Sequence, residues 1–230
     1  FGNLWAGAEI SVGIPIATGN TLEAVFGFWL IRRLNASIRN RFGYFKFLIA
    51  GGLASCVSAV IGVTTLWLAG RSTIATIGVD IIQWWMGDIL GVALVAPLIV
   101  AVKTVAPSKY TREQRIEFSL GLALSLLAGQ IVFLGFGGEF AEWKPRAFLM
   151  FLPLSWVSVR FGLRAALLFI FLICTQGLFG AITDSGYFTL APHGDALANY
   201  WLFAIVYSII GISLATSIDE RRTAEDDAKR

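Results

Sequence analysis

Two carboxylates stand where a bilayer interior would have to hold them. Glu23 lies inside an apolar run from about residue 10 to 31, and Asp88 lies near the middle of another from about 77 to 102, within Trp84-Trp85-Met86-Gly87-Asp88-Ile89-Leu90-Gly91. A charged group in lipid costs a few kcal/mol or more and persists where it faces a protein interior, a water-filled cavity or a partner. On α-helical spacing Asn20, Glu23 and Gly27 share one face, Asp80, Gln83 and Gly87 share another, and Asp88 and Gly91 occupy the strip beside it. With Trp84, the residues Asn20, Glu23, Asp80, Gln83 and Asp88 form the expected binding set, a polar cavity for a small ligand, a cation or a proton with glycines making room. A purely structural hydrogen-bond cluster between helices accounts for the same pattern. Intramembrane proteolysis by a carboxylate dyad would need both acids at one water, and their spacing gives no sign of it.

Other chemistry is sparse. His193 is the only histidine, in Leu190-Ala191-Pro192-His193-Gly194-Asp195, and one histidine cannot build a multi-histidine metal site, although an axial haem ligand or a site completed by Asp184 and Asp195 stays open. Cys56 and Cys174 fall in different apolar runs, which argues against a disulfide and rules out a thiolate metal centre by number. Gly135-Phe136-Gly137-Gly138 ends a helical pattern with no βαβ unit after it, so it reads as a turn. No metal site and no cofactor is indicated.

The elements that must position these residues are membrane helices. Hydrophobic residues make up 57% of the chain and charged residues 14%, with a mean hydropathy of +0.73, too little polar surface for a water-soluble globule. Runs near 10–31, 45–69, 77–102, 116–136, 145–159, 163–182 and 198–217 predict about seven helices in 230 residues. The fifth is short for an untilted span and contains Pro153, so six full spans plus one irregular helix is the alternative. Loops taken alternately collect 15 of the 18 Lys and Arg on one side, including Arg32, Arg33, Lys103, Lys109, Arg160, Arg164, Arg221 and Arg222, against Arg71, Lys144 and Arg146 on the other. The positive side is cytoplasmic, which places the C-terminus and the sequon Asn35-Ala36-Ser37 there. These basic residues are dispersed over several loops without an aromatic platform, so nucleic acid is not an expected partner, whereas the lipid bilayer is. Phe1 is not an initiator methionine and the start has no signal-peptide pattern, so earlier helices and a following domain are expected outside this sequence.

Small residues recur at close-packing spacing: Gly51, Ser55, Ala59 and Gly62; Gly121, Ser125 and Gly129; Ala204, Ser208, Gly211 and Ala215. These are expected to be contacts within the chain or seams of a homodimer. After Ser217 the pattern turns abruptly charged, and Thr223 to Arg230 is rich in helix formers. Residues 1–217 therefore read as a membrane domain and 218–230 as the start of a helix leading out of it.

Gly19-Asn20-Thr21-Leu22-Glu23-Ala24, Trp29-Leu30-Ile31-Arg32-Arg33-Leu34, the Trp84 to Gly91 segment running into Ala96-Pro97-Leu98, Arg160-Phe161-Gly162-Leu163-Arg164 and Glu220-Arg221-Arg222 together resemble the type-one MASE family, membrane-associated sensor domains of bacteria. The resemblance spans essentially the whole chain. It implies an all-α polytopic bundle in the bacterial inner membrane, non-enzymatic itself, that senses a small-molecule or membrane-borne signal and is fused to a cytoplasmic histidine kinase or diguanylate cyclase. It supplies no binding residues. Transmission is expected through the last helix, at Gly211, Ala215, Ile218, Glu220 and Arg221. A small-solute or ion transporter using Glu23 and Asp88 is the competing expectation, disfavoured by the charged terminal helix and the absence of internal repeats.

Overall fold

The computed structural model of the chain describes residues 9–105, 110–136, 147–190 and 196–228. His193, Asp195, Lys109, Lys144, Arg146, Lys229 and Arg230, on which parts of the sequence reading rest, lie outside them. The described elements are all helical: α1 Ile10–Arg33, α2 Arg41–Leu68, α3 Ile77–Leu90, a π-helical turn Gly91–Val95, α4 Ala96–Thr104, α5 Arg112–Leu134, a 3-10 turn Ala147–Met150, α6 Phe151–Ile182, a second 3-10 turn Gly186–Leu190, and α7 Ala196–Ala228. Six stretches are long and apolar enough to cross a membrane: α1, α2, Ile77–Thr104, α5, Ala147–Ile182 and Ala196–Arg222. The protein is an all-α, multi-pass membrane protein.

The helices divide into two compact units. One comprises the described residues up to Ser37 together with Phe42–Val92; the other comprises Ile38–Arg41 and the described residues from Ala93 onward. The first unit packs through small residues. A Cβ added to Gly27 would meet Ala54 Cβ at 3.3 Å, and one added to Gly62 would lie 2.7 Å from the Trp84 ring, so α1 and α3 each lie close against α2. The π-helical turn has a local cause: Pro97 lacks the N–H that would bond the Ala93 carbonyl, and a widened turn before it absorbs the missing rung.

In the second unit Thr111 and Gln114 form a reciprocal capping box at the start of α5, and Gly135 ends it in the left-handed conformation. Helix α6 is not one rod. A Cβ on Gly211 would lie 2.7 Å from Leu154 and 2.8 Å from Ile170, yet a straight helix would carry those two side chains about 24 Å apart. The chain therefore doubles back, and it does so at Gly162, whose φ of 76° and ψ of −171° are non-helical. The fifth and sixth sequence runs correspond to the two antiparallel arms, residues 151–161 and 163–182. Pro153 does not interrupt the first arm, because it occupies the first helical turn, where its N–H has no intrahelical partner to lose.

The small-residue faces are used within the chain. Gly51, Ser55, Ala59 and Gly62 are buried in α2; Gly121 of α5 abuts the Trp156 ring and Gly129 abuts Gln176, on opposite arms of α6. Ala204, Ser208 and Ala215 of α7 are fully buried. The 33 residues of α7 extend about 50 Å, beyond the roughly 30 Å of a hydrocarbon core, so its charged C-terminal part continues the membrane helix without a break.

Candidate functional site

The two intramembrane acids are tied together in the first unit by serines of α2. Ser55 Oγ donates to Glu23 Oε1 at 2.8 Å and Ser58 Oγ donates to Asp88 Oδ2 at 2.5 Å. Ser58 Oγ also reaches the Ser55 carbonyl at 3.1 Å, in the same turn of helix. The i, i+3 spacing puts both serines on one face of α2, from which Ser55 reaches α1 and Ser58 reaches α3. Both serines are buried, with Ser55 fully so, and Glu23 and Asp88 are near enough to act on one another electrostatically, with Trp84 also engaging the Asp88 carboxylate. A few ångströms along, Trp85 Nε1 donates to the Gly52 carbonyl at 2.8 Å, fastening α3 to α2 a second time.

Of the six residues expected to form a binding set, Glu23, Trp84 and Asp88 meet around α2. The other three are placed elsewhere. Asn20 and Gln83 are exposed on their helices. Asp80 accepts hydrogen bonds from Ser72 Oγ and from Thr76 Oγ1, so its carboxylate secures the first turn of α3. Gly87 and Gly91 have no atom within 4 Å of an added Cβ, while the glycines that do make room, Gly51 and Gly62, make it for Val92 and Trp84. Ser55 and Ser58 fall outside the set expected from sequence. Their signal was present as two hydroxyls one turn apart in the apolar middle of α2, and a small-residue packing face explains Ser55 equally well.

A second polar constellation surrounds the reversal at Gly162, and it gathers the ends of four helices. Arg160 forms a two-pronged ion pair with Glu117 of α5, both N···O distances being 3.1 Å. Arg164 Nη2 donates to the Val102 carbonyl at 2.6 Å, at the end of α4, and Tyr110 Oη donates to the Phe161 carbonyl at 2.5 Å. The Phe161 ring packs edge-on against Tyr110, Phe118 and Trp156. Helix α7 supplies the last two contacts. Asp219 Oδ2 accepts from the Leu163 N–H at 3.3 Å, and Arg222 Nη2 donates to the Val159 carbonyl at 2.8 Å.

Those two contacts have opposite electrostatic sense. The second arm begins at Leu163, where helix N–H groups and the positive dipole end lack partners, and the first arm ends beside Val159, where carbonyls lack them. An acid and a base one turn apart on α7 thus satisfy both open helix ends of the reversal. Of the residues expected to carry transmission, Gly211 and Ala215 are buried, Ile218 is half-buried, and Glu220 and Arg221 are exposed, with Arg221 paired to Glu225 at 2.9 Å. Asp219 and Arg222, flanking that pair, make the contacts to α6.

Compared with known families, residues 2–222 match the family model MASE1. No curated protein and no solved structure matches the chain.

Proposed function

The chain belongs to the MASE1 family, whose members are membrane-associated sensory domains, and from that premise we propose that it passes a signal sensed in the bilayer to a cytoplasmic output module by moving α7 against the reversal at Gly162. The observation that carries this reading is the pair of contacts from Asp219 and Arg222 to the two arms of α6. Sliding or rotating α7 must break both together, because they lie one turn apart on one helix. The buried small-residue face at Ala204, Ser208, Gly211 and Ala215 gives that motion a smooth track.

In this reading the Gly162 end faces the cytoplasm of a bacterial inner-membrane protein, since Arg160, Arg164, Arg221 and Arg222 gather there with the end of α4 and the start of α5. The output module is a histidine kinase or diguanylate cyclase continuing from α7, and it works as a homodimer in which α7 meets its mate beyond the membrane. The Glu23–Ser55 and Ser58–Asp88 bonds serve mainly to lock α1, α2 and α3 together. That use of the acids gives the transporter alternative less support, because each carboxylate already accepts a bond from a neighbouring helix.

Register insertions test the reading. In a chain continued into an output enzyme, two residues inserted after Arg222, beyond both contacts, turn everything that follows by about 200°, whereas seven turn it by about 700°, close to a whole number of turns. The first should shift output activity several-fold and the second should largely restore it. Equal output from both, at unchanged membrane insertion, would refute transmission through α7.

A further inference from the structure

In the first unit, the last turns of α1 hold an open groove of about 660 Å³ lined by Val25, Phe28, Trp29, Arg32, Arg33 and Asn35. Its two halves differ in chemistry. Val25, Phe28 and Trp29 are 62%, 60% and 55% exposed, on a helix long and apolar enough to cross a membrane. Arg32 and Arg33 follow in the last turn, and Trp29, three residues before one and four before the other, lies one turn beneath both. Apolar surface thus leads along the helix to a pair of guanidinium groups.

Neither group is engaged in holding the fold together by an ion pair among the described residues. The carbonyls of Leu30, Ile31 and Arg32 at the helix end accept from the backbone N–H groups of Leu34, Ala36 and Asn35, so no basic side chain is needed to cap them. The chain has no Asp or Glu between Glu23 and Asp80, an interval that carries Arg32, Arg33, Arg39, Arg41 and Lys46. Glu23 itself lies about 14 Å back along α1 from Arg32, with the Ser55 hydroxyl on its carboxylate. Nor does Arg32 reach away from the membrane: its Cζ stands 5.6 Å from the centroid of the Phe28 ring, one turn nearer the bilayer centre. Its charge is therefore held at the level where apolar surface ends.

We propose that this groove binds one anionic phospholipid, of the phosphatidylglycerol class, with its phosphodiester between Arg32 and Arg33 and one acyl chain laid along Val25, Phe28 and Trp29. Arginine presents its donors as a planar fork that matches a phosphate, and Asn35 adds an amide to the same end of the lining. A zwitterionic lipid would bring a further cation to a site that already holds two. A soluble phosphate would leave the apolar half uncovered. In the orientation proposed above the site faces the cytoplasmic leaflet, whose anionic lipids attract basic segments beside a span. The assignment does not depend on the sensory role.

The test measures lipid binding to the 230-residue chain in neutral detergent micelles by native mass spectrometry, with phosphatidylglycerol and phosphatidylcholine of identical acyl chains. The first phosphatidylglycerol should bind about tenfold more tightly than the first phosphatidylcholine. Arg32→Gln with Arg33→Gln should abolish that preference and leave phosphatidylcholine binding as it was. Lys103→Gln with Arg112→Gln, an equal change of charge at exposed positions elsewhere, should leave the preference intact. Glycerol phosphate, a headgroup without chains, should not compete at the lipid's own concentration. The comparison of the two lipids on the unaltered chain needs no variant to fold, and equal affinities, which describe an unselective lipid annulus, would overturn the proposal. So would a preference that survives loss of both arginines or falls equally with the Lys103 and Arg112 pair, which marks diffuse attraction. Displacement by glycerol phosphate would overturn it too, marking a soluble anion as the occupant.

Discussion

Gly162→Ala probes the reversal of α6 most directly. With φ 76° and ψ −171°, Gly162 occupies a region populated almost only by glycine, where an L residue costs on the order of 1–3 kcal/mol. An added Cβ would also lie 3.1 Å from Asp219 Oδ1, crowding the carboxylate that caps Leu163, and losing a helix cap costs about 1 kcal/mol. The substitution should therefore lower the unfolding free energy by about 2–4 kcal/mol. Gly135→Ala is the comparison: its φ of 67° and ψ of 20° lie in the left-handed helical region, and the nearest atom to an added Cβ is at 3.5 Å, so the cost should be about 1–2 kcal/mol. Equilibrium unfolding of the purified chain in mixed micelles, followed by circular dichroism, gives both values. Asp219→Ala sharpens the test. Combined with Gly162→Ala it should cost less than the two separately, because the cap is already strained, whereas with Gly135→Ala it should add. Strict additivity at Gly162, or a loss below about 0.5 kcal/mol, would refute the geometry.

Three further outcomes follow from the other contacts. Ser58→Ala leaves the half-buried Asp88 carboxylate without its hydroxyl partner and should cost about 1–3 kcal/mol in the same unfolding assay, while Ser208→Ala, equally buried but bonded only to the Ala204 carbonyl of its own helix, should be near neutral; equal costs would remove the significance of the interhelical bond. Glu23→Gln should be tolerated better than Glu23→Ala, since its amide oxygen can still accept from Ser55 Oγ, and indistinguishable melting of the two would count against that bond. Reporter fusions after residues 109 and 230 should both read cytoplasmic and one near residue 193 external; opposite readings for the first pair would mean that the number of crossings between them has the wrong parity.

The helices were legible in the sequence because a bilayer imposes length and apolarity on every span, and neither depends on tertiary contacts. The break between the fifth and sixth runs was legible as well, at Arg160-Phe161-Gly162-Leu163-Arg164, since charge in an apolar stretch marks a loop. What periodicity could not give was direction across the break: one long kinked helix and a tight hairpin have the same pattern, and only the shared neighbour Gly211 distinguishes them. The site was legible in half. Glu23 and Asp88 stand out because they are expensive in lipid, but Asn20, Asp80 and Gln83 were grouped with them by face alone. Helical facing fixes a direction on one helix and says nothing about which neighbour occupies it. Asp80 is a case in point, since its partners Ser72 and Thr76 lie just before its own helix.

The arginine-flanked glycine at residues 160–164 concentrates several structural roles in a short segment. Each of its positions meets a separate physical demand. Gly162 supplies the backbone conformation, Phe161 fills the space between Tyr110, Phe118 and Trp156, and the two arginines reach α5 and the end of α4 on either side. Because the reversal is held by contacts to α4 and α5 that do not involve α7, releasing Asp219 and Arg222 leaves it anchored. In the proposed mechanism α7 therefore shifts against this surface while the contacts to α4 and α5 keep the reversal in place. That is the requirement for a two-state contact whose equilibrium a ligand shifts by its differential affinity for the two states.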